Sequence, residues 1–432
     1  MLWVVTERAL RCAKLSHAKF STIPPIKQCV IDMLADTGFP DVRFKTLIQS
    51  INEGNIIIIP REGSKLIRLL TELDKLKNGE KVATRNLRVD HLIAAAQRIF
   101  RPHALDVKEV VWWSVYEIGQ RLTDKFDYVP ADDVASRLPH VFICGDACQT
   151  HSPKAGQGMN VSMGDACNLG WKLANVLQGR CAPDILHSYS AERPTVAEDL
   201  VREWSCIMSE TPNAEDDDTP VFQRYFIQHG RYTTGMLVQH APSNLTGKVT
   251  WQSLACGLEI GTRFHPAQVV HLADAQPLQL GHVVKADTRW HLFAFCPDEN
   301  PSDQGSAIAG LCHFLAENPT SPIRRFARQN EDIDAVIDVR AIFSKRNQTS
   351  RLKPCLSFSN QKKGRMGLAD HEKMFCSDLK NGPDTCDLCK IDRKRGCLVI
   401  VRPDQYVAHV LPFNDYGELA AFFGNIMLEQ DS

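Results

Sequence analysis

A glycine-rich segment, Gly145–Asn160, carries the residues of the chain that most clearly indicate ligand chemistry. It begins at the end of the short apolar stretch Pro139–Gly145, which predicts a strand. Asp146, at the end of that strand, is placed to accept hydrogen bonds from ligand hydroxyls. Gly156 and Gly158 allow backbone N–H groups to approach a ligand closely. These residues predict a small anionic or polyhydroxylated ligand at a strand–loop–helix junction.

The helix that follows this loop is predicted to begin near Asp165 and to end at Gly179. The N-terminus of a helix carries partial positive charge, which suits an anion or a developing negative charge on a heteroaromatic ring. A merely tight connection between strand and helix is the alternative. That alternative does not require two glycines, Pro153 and a strand-end acid together, so we favour the ligand site.

The composition excludes several classes of protein. The 432 residues contain 50 Lys and Arg against 51 Asp and Glu, a formal charge of −1, so no global basic footprint for nucleic acid exists. No apolar run approaches the ~18 residues of a membrane span, and the N-terminus does not read as a secretory signal. We therefore expect a cytoplasmic, globular protein with neither nucleic acid nor membrane as a partner.

Fifteen cysteines are scattered along the chain, and one close pair stands out, Cys386-Asp-Leu-Cys389. A redox pair usually lies where a strand passes into a helix, whereas this pair precedes the predicted strand Cys397–Val401. A four-cysteine zinc site normally has two close pairs. The sequence therefore predicts neither a redox nor a metal site.

The N-terminal half shows recognisable elements only after residue 28, and we assign no element to residues 1–28. The β-branched run Asn55–Ile59 predicts a strand, and the aromatic stretch Val110–Gln120 predicts another. Leucines at helical spacing predict a helix over Lys65–Lys77, and a second amphipathic helix is predicted over Val89–Phe100.

A polar, Pro-bounded stretch, Thr211–Pro220, is typical of a linker or surface loop. Beyond it, the pattern predicts a β-α-β unit, a β-hairpin and a closing helix, which is compatible with a thioredoxin-like domain. The predicted elements are strands Gln268–Leu272, Trp290–Phe295 and Ala335–Ile342, helix Gly305–Ala316, hairpin strands Cys397–Val401 and Val407–Leu411, and helix Tyr416–Leu428.

Several motifs resemble those of a known family. The segment Gly145–Leu173 resembles the second FAD-binding motif of the class A flavoprotein aromatic hydroxylases. Other motifs are similar to the phenol 2-monooxygenase family, and the likeness extends from about residue 29 onward. These motifs are Phe39–Arg43, Ile59–Gly63, Trp112–Arg121, Gln223–Phe226, Asp392–Cys397 and Arg402–Leu411.

The resemblance implies a multidomain protein of α/β and α+β class. It would combine a partial FAD-dependent aromatic-hydroxylase fold with a C-terminal thioredoxin-like domain that lacks redox cysteines. The implied boundaries are residues 29–125 for the substrate domain, 126–215 for the C-terminal part of the FAD-binding domain and 216–432 for the thioredoxin-like domain.

The resemblance also implies an activity. NADPH would reduce FAD, and O2 would supply the oxygen atom that is transferred to a phenol, ortho to its hydroxyl; the family suggests a homodimer. Asp146 would bind the ribityl chain, and Arg61 would assist hydroxylation. The residues that would contact the flavin ring are Pro153, Gly156, Gly158, Met159 and Asn160.

Three departures from the family pattern leave a second function open. The chain contains neither a GxGxxG turn nor the family's Asp-Gly motif, and Leu70 stands where the family has a tyrosine that hydrogen-bonds the phenol. Gln149 also replaces a common histidine. The lack of the GxGxxG and Asp-Gly motifs predicts a chain that is truncated at its N-terminus or that starts at a wrong exon. It is then either an aromatic hydroxylase by family or a non-catalytic homologue whose thioredoxin-like half is a structural or interaction module.

Overall fold

The structure is a computed structural model. It describes residues 3–5, 20–50, 54–63, 65–73, 88–151, 157–209, 238–265, 267–303, 305–329, 331–344, 362–380 and 382–430. The predicted linker Thr211–Pro220 and the motif Gln223–Phe226 lie outside these residues. Among the described residues, no helix combines the length and the apolar character needed to cross a membrane.

The described strands and helices are named in chain order. The strands are β1 (Trp3–Val5), β2 (Phe20–Thr37), β3 (Thr46–Ser50), β4 (Gly54–Pro60), β5 (Leu66–Leu73), β6 (Leu105–Thr123), β7 (Val141–Ile143), β8 (Gln149–Thr150), β9 (Gln268–His271), β10 (Pro277–Gln279), β11 (Trp290–Phe295), β12 (Ile337–Phe343), β13 (Lys362–Lys363), β14 (Leu368–Ala369), β15 (Met374–Ser377), β16 (Cys397–Val401) and β17 (Val407–Leu411). The helices are α1 (Val89–Ile99), α2 (Gly158–Leu177), α3 (His187–Ser209), α4 (Ala307–Glu317), α5 (Pro322–Arg325), α6 (Thr385–Leu388) and α7 (Tyr416–Gly424).

The N-terminal half forms an antiparallel sheet with the strand order β3-β4-β5-β2-β6-β8. Alternate residues of its strands point to one face, where they pack against α1. The core on this face includes Cys29, Ile31 and Met33 from β2, and Leu92 and Ala96 from α1. The predicted strands over Asn55–Ile59 and Val110–Gln120 and the predicted helix over Val89–Phe100 are confirmed.

The helix predicted over Lys65–Lys77 is wrong, because Leu66–Leu73 is a strand, β5, paired with both β2 and β4. The leucine spacing fits one face of a helix, but in the structure successive side chains alternate between the two faces of a sheet. Ile67 and Leu69 are buried against α1, while Arg68 between them faces the opposite side of the sheet. Pairing on both edges outweighs the local helical preference. Residues 74–77 lie outside the described part.

Residues 1–28, to which no element was assigned from the sequence, contain strand residues in their described part. Phe20–Thr37 is one long strand, β2, which pairs with both β5 and β6. Trp3–Val5 pairs in parallel with Val141–Ile143, the strand that leads into the glycine-rich segment. The sequence did not reveal β2 because its N-terminal portion, Ser21-Thr-Ile-Pro-Pro25, looks like a loop.

The C-terminal half forms a mixed sheet with the order β10-β9-β15-β12-β11-β16-β17. The predicted β-α-β unit is present, because β11 and β12 are parallel and α4 and α5 lie between them in the chain. The predicted hairpin is formed by β16 and β17, and α7 follows it. One hydrophobic core joins this sheet to helices α2 and α3, with Trp171 packed on Trp290. The domain boundaries given above stay predictions.

Candidate functional site

The glycine-rich segment lies where strand β7 passes into helix α2. A single 3-10 turn, Gly145–Ala147, follows β7 directly, and the amide of Cys148 donates to the carbonyl of Gly145 (3.0 Å). Strand β8 then pairs with the end of β6. The strand predicted over Pro139–Gly145 is thus confirmed in its central residues, Val141–Ile143.

Gly145 allows this turn to lie against helix α2. Its φ of +61° falls in the left-handed region that favours glycine. A Cβ built on Gly145 would lie 3.3 Å from both Cβ and Oγ of Ser162, in the second turn of α2. A side chain at position 145 would therefore strain the turn and push it away from the helix.

Helix α2 begins at Gly158, seven residues before the predicted start at Asp165. Gln157 is its N-cap and makes no side-chain capping bond, and the first intrahelical bond runs from the Val161 amide to the Gln157 carbonyl (3.0 Å). The first amides of a helix have no intrahelical partner. In the described part of the chain no side chain caps the amides of Gly158, Met159 and Asn160, which lie at the positive end of a long helix.

The structure brings Asp146, Gly158, Met159 and Asn160 to the same strand–loop–helix junction. The side chain of Asp146 is exposed, and that of Met159 is 70% exposed. A carboxylate acceptor on one side and helix N–H donors on the other suit a ligand that has both hydroxyls and an electron-rich acceptor edge. Pro153 and Gly156, which were also predicted to contact the ligand, lie outside the described residues.

Asp165 was predicted to lie in the first turn of the helix, but it lies farther along. It lies inside α2, fully buried, and accepts a hydrogen bond from Arg193 Nε (2.7 Å) and one from Gln149 Nε2 (2.5 Å). Burial raises the pKa of Asp165, although Arg193 opposes this change. Asp165 therefore ties α2 to α3 and β8 rather than serving the helix dipole from the first turn.

Arg61 is not part of this junction. It lies in the turn between β4 and β5, where its side chain pairs with its neighbour Glu62 (2.9 Å). Through the strand registers, this turn is level with Glu109 on β6, whereas the glycine-rich segment adjoins Leu122 on the same strand. At about 3.3 Å per residue, on the order of 40 Å of strand separates the two positions. The predicted role of Arg61 in hydroxylation stays a prediction.

Arg68 forms a partly buried ion pair that the sequence did not reveal. Its guanidinium makes two bonds to Asp32, Nε to Oδ1 (2.6 Å) and Nη2 to Oδ2 (2.7 Å), and it lies 5.8 Å from the ring centroid of Trp112. These side chains lie on the sheet face opposite α1. The pattern Ile67-Arg68-Leu69 would have indicated this placement only if the segment had been recognised as a strand.

The cysteine pair lies in a setting other than the one predicted. Cys386 lies in the short helix α6, and Asp384 caps that helix through the Cys386 amide (2.8 Å). The strand Cys397–Val401 does follow the pair as predicted, and the short helix at the pair itself is an element that the sequence did not reveal. Both thiols are nevertheless buried, and burial raises the pKa of Cys386 and of Cys389 to about 12. Neither thiol carries the low pKa of a redox-active cysteine.

Family profiles and curated proteins match almost the whole chain. A profile described as an FAD-binding domain matches residues 14–204, and one described as the phenol hydroxylase C-terminal dimerisation domain matches residues 231–431. A 3-hydroxybenzoate 4-monooxygenase of Comamonas testosteroni is 52% identical over 92% of this chain and 64% of its own length. A phenol 2-monooxygenase of Aspergillus fumigatus is 29% identical over 92% of this chain and 64% of its own length.

Solved structures share the fold. A ternary complex of aklavinone-11 hydroxylase with FAD and aklavinone superposes with a TM-score of 0.59, at 17% identity over 98% of this chain and 66% of that one. The flavin-dependent monooxygenase PieE, solved with FAD and substrate, gives 0.58 at 15% identity over 96% of this chain and 68% of that one. This chain spans 64% of the length of each of the two curated relatives. The two profiles and the curated relatives together place the chain in the class A FAD-dependent aromatic hydroxylases.

Proposed function

We propose that this chain takes part in FAD- and NADPH-dependent hydroxylation of a phenolic ring, ortho to the existing hydroxyl. The observation that carries the proposal is the junction of β7, the Gly145–Ala147 turn and the uncapped start of α2. There an exposed carboxylate and helix amides converge on the same loop.

The donor set of the junction fits a flavin. The amides of Gly158, Met159 and Asn160 would hold the pyrimidine edge, whose carbonyl oxygens are acceptors, and the positive end of α2 favours negative charge there. Asp146 would accept hydrogen bonds from the ribityl hydroxyls. When bound, the flavin would supply the redox chemistry with NADPH and O2, while the protein supplies position and electrostatics. Pro153 and Gly156 are proposed to complete the loop.

The names of the relatives support the position of hydroxylation. The bacterial relative is named for position 4 of 3-hydroxybenzoate, which is adjacent to the existing hydroxyl, and the fungal relative is named for position 2 of phenol. Both names describe ortho hydroxylation. The greater identity of the bacterial relative leads us to propose a hydroxybenzoate as the first substrate to test. The dimerisation-domain match supports a homodimer.

The proposal predicts coupled turnover. We expect the purified chain, supplied with FAD, NADPH and air, to oxidise NADPH faster when 3-hydroxybenzoate is added and to form 3,4-dihydroxybenzoate, measured by liquid chromatography. The role that the resemblance implies for Arg61 predicts a lower ratio of diol to hydrogen peroxide in Arg61→Met, whereas the length of strand between Arg61 and the junction predicts an unchanged ratio. The thermal midpoint should not change, because in the described part of the chain the side chain pairs with its exposed neighbour Glu62. The exposed Arg365→Met serves as the matched control.

The outcome that contradicts the proposal is bound FAD without any dihydroxy product from 3-hydroxybenzoate or from phenol. That result would favour the alternative, a non-catalytic homologue. The basis for that alternative is the lack of a GxGxxG turn anywhere in the 432 residues. The core that the C-terminal sheet shares with α2 and α3 weighs against a C-terminal half that acts as a separate module.

A further inference from the structure

A fully buried arginine from the C-terminal sheet lies between helices α2 and α3. Arg402, in the turn between β16 and β17, bonds both carboxylate oxygens of Glu192 on α3 (2.6 and 2.9 Å). It also bonds both oxygens of Asp404 in its own turn (2.9 and 2.7 Å). Two bidentate pairs use the planar guanidinium in a way that lysine cannot reproduce.

Helix α2 joins the same cluster through two buried side chains. Lys172 Nζ donates to Glu192 (2.9 Å), and Asn168 Nδ2 donates to both Glu192 (2.8 Å) and Asp404 (3.1 Å). Two cations thus face two carboxylates, and the cluster is close to neutral. Burial alone would raise the pKa of Glu192, but the charges of Arg402 and Lys172 hold it well below its usual range.

A metal ion is the competing interpretation of this cluster. Glu192, His240 and Asp404 are all buried, and one potential ligand atom from each lies within 4.8 Å of the others. However, Arg402 already occupies four carboxylate oxygen positions, and Lys172 adds a second cation. A divalent ion would leave an uncompensated positive charge in the interior. The cluster is therefore complete as an ion-pair network.

The residue next to Glu192 continues the network toward the start of α2. Arg193 donates to Asp165 (2.7 Å) and to the carbonyl of Val161 (3.2 Å), which belongs to the first turn of the helix. Asp165 also bonds Gln149, whose Oε1 contacts His151 Nε2. The network thus reaches both sides of the loop between His151 and Gln157.

We propose that Arg402 is a positioning residue, through which the C-terminal half fixes the start of helix α2 and, through Gln149, the end of strand β8. Arg402 holds Glu192, and the adjacent Arg193 transmits that constraint to Asp165 and to the first turn of α2. On α2 the Arg402 cluster includes Asn168 and Lys172, about three to four helical turns behind the helix start. Among the described residues, Arg402 contacts none of those that would bind the flavin. Only the consequence for flavin binding rests on the proposed function.

Amide hydrogen exchange, measured by mass spectrometry on the full chain without cofactor, tests the proposal. We expect Arg402→Met to speed exchange of the amides of residues 161–165 by at least about tenfold, and Arg402→Lys to have a smaller effect of the same kind, because local opening would become easier. The matched control is Arg328→Ala. It removes a contact to the carbonyl of Gln178, at the opposite end of α2, and should leave residues 161–165 unchanged.

Arg402→Lys carries the test if the methionine variant does not fold, since lysine retains the charge but loses the paired bonds. Unchanged exchange at residues 161–165 in Arg402→Lys, or an equal rise in Arg328→Ala, would overturn the proposal. Because no flavin is present in this experiment, its failure is distinguishable from a failure of the proposed function, which FAD binding tests separately.

Discussion

Replacing Trp290 by alanine is expected to lower the free energy of unfolding by about 3–5 kcal/mol, as large-to-small changes at buried aromatic residues do. Trp290 is fully buried in β11. Its ring packs edge-to-face on Trp171 of α2 (5.7 Å between centroids) and on Phe422 and Phe423 of α7 (5.9 and 5.6 Å). Its removal therefore opens a cavity between the C-terminal sheet and helix α2, and both parts should lose stability together.

Urea unfolding followed by circular dichroism measures this effect, with hydrogen exchange to show where the loss occurs. Trp290→Phe should cost much less, because it keeps most of the ring volume and removes an indole N–H that has no partner in the described part of the chain. Trp113→Ala, at a side chain that is 37% exposed, is the control. A separate transition of the C-terminal sheet alone, with α2 unaffected, would show that the two parts do not share a core.

Mild acid is expected to destabilise the protein strongly, through two histidines that are buried in neutral form. Burial lowers the pKa of His151 and of His240 to about 4. The pKa of an unfolded histidine is about 6.5, so the unfolded chain binds more protons between these values and stability falls as the pH drops through that window. Each histidine accounts for a loss of roughly 3 kcal/mol between pH 7 and pH 4.

The measurement is the urea midpoint as a function of pH. His240→Gln should flatten the fall in stability between about pH 6.5 and pH 4, because the titrating group is removed. His313→Gln, at an exposed position of α4, should retain the full pH dependence. A stability that does not change across this window would show that the two histidines are not buried in neutral form.

The success of the sequence analysis depended on how locally each element is determined. The C-terminal β-α-β unit and hairpin were predicted because their strands are short and largely apolar, such as Cys397–Val401, as expected for strands that are buried on both faces of a sheet. Leu66–Leu73 was mistaken for a helix because its leucines satisfy both periods. The segment is a strand because it pairs on one edge with β4, the preceding strand, and on the other with β2, which is distant in sequence.

In the candidate site, too, the residues that are close in sequence were predicted and the long-range contacts were not. Asp146 and Gly158 were predicted from the glycine-rich segment itself, and Met159 and Asn160 from its resemblance to the family's FAD-binding motif. The Arg402 cluster was not predicted, because Glu192 and Arg402 are 210 positions apart and nothing in the sequence around either residue indicates the other. Long-range ion pairs leave no periodic pattern, and the sequence alone therefore could not show what holds helix α2 in place.

Equilibrium dialysis of FAD against the purified chain tests the central claim, that the loop between β7 and α2 is a flavin site. We expect weak but saturable binding, which Asp146→Ala lowers by about 10- to 150-fold, the equivalent of one charge-assisted hydrogen bond of ~1.5–3 kcal/mol. Asp132→Ala, an exposed acid in the preceding 3-10 turn, should bind FAD like the wild type. Equal FAD affinity in Asp146→Ala and the wild type, or the lack of saturable binding, would contradict the claim.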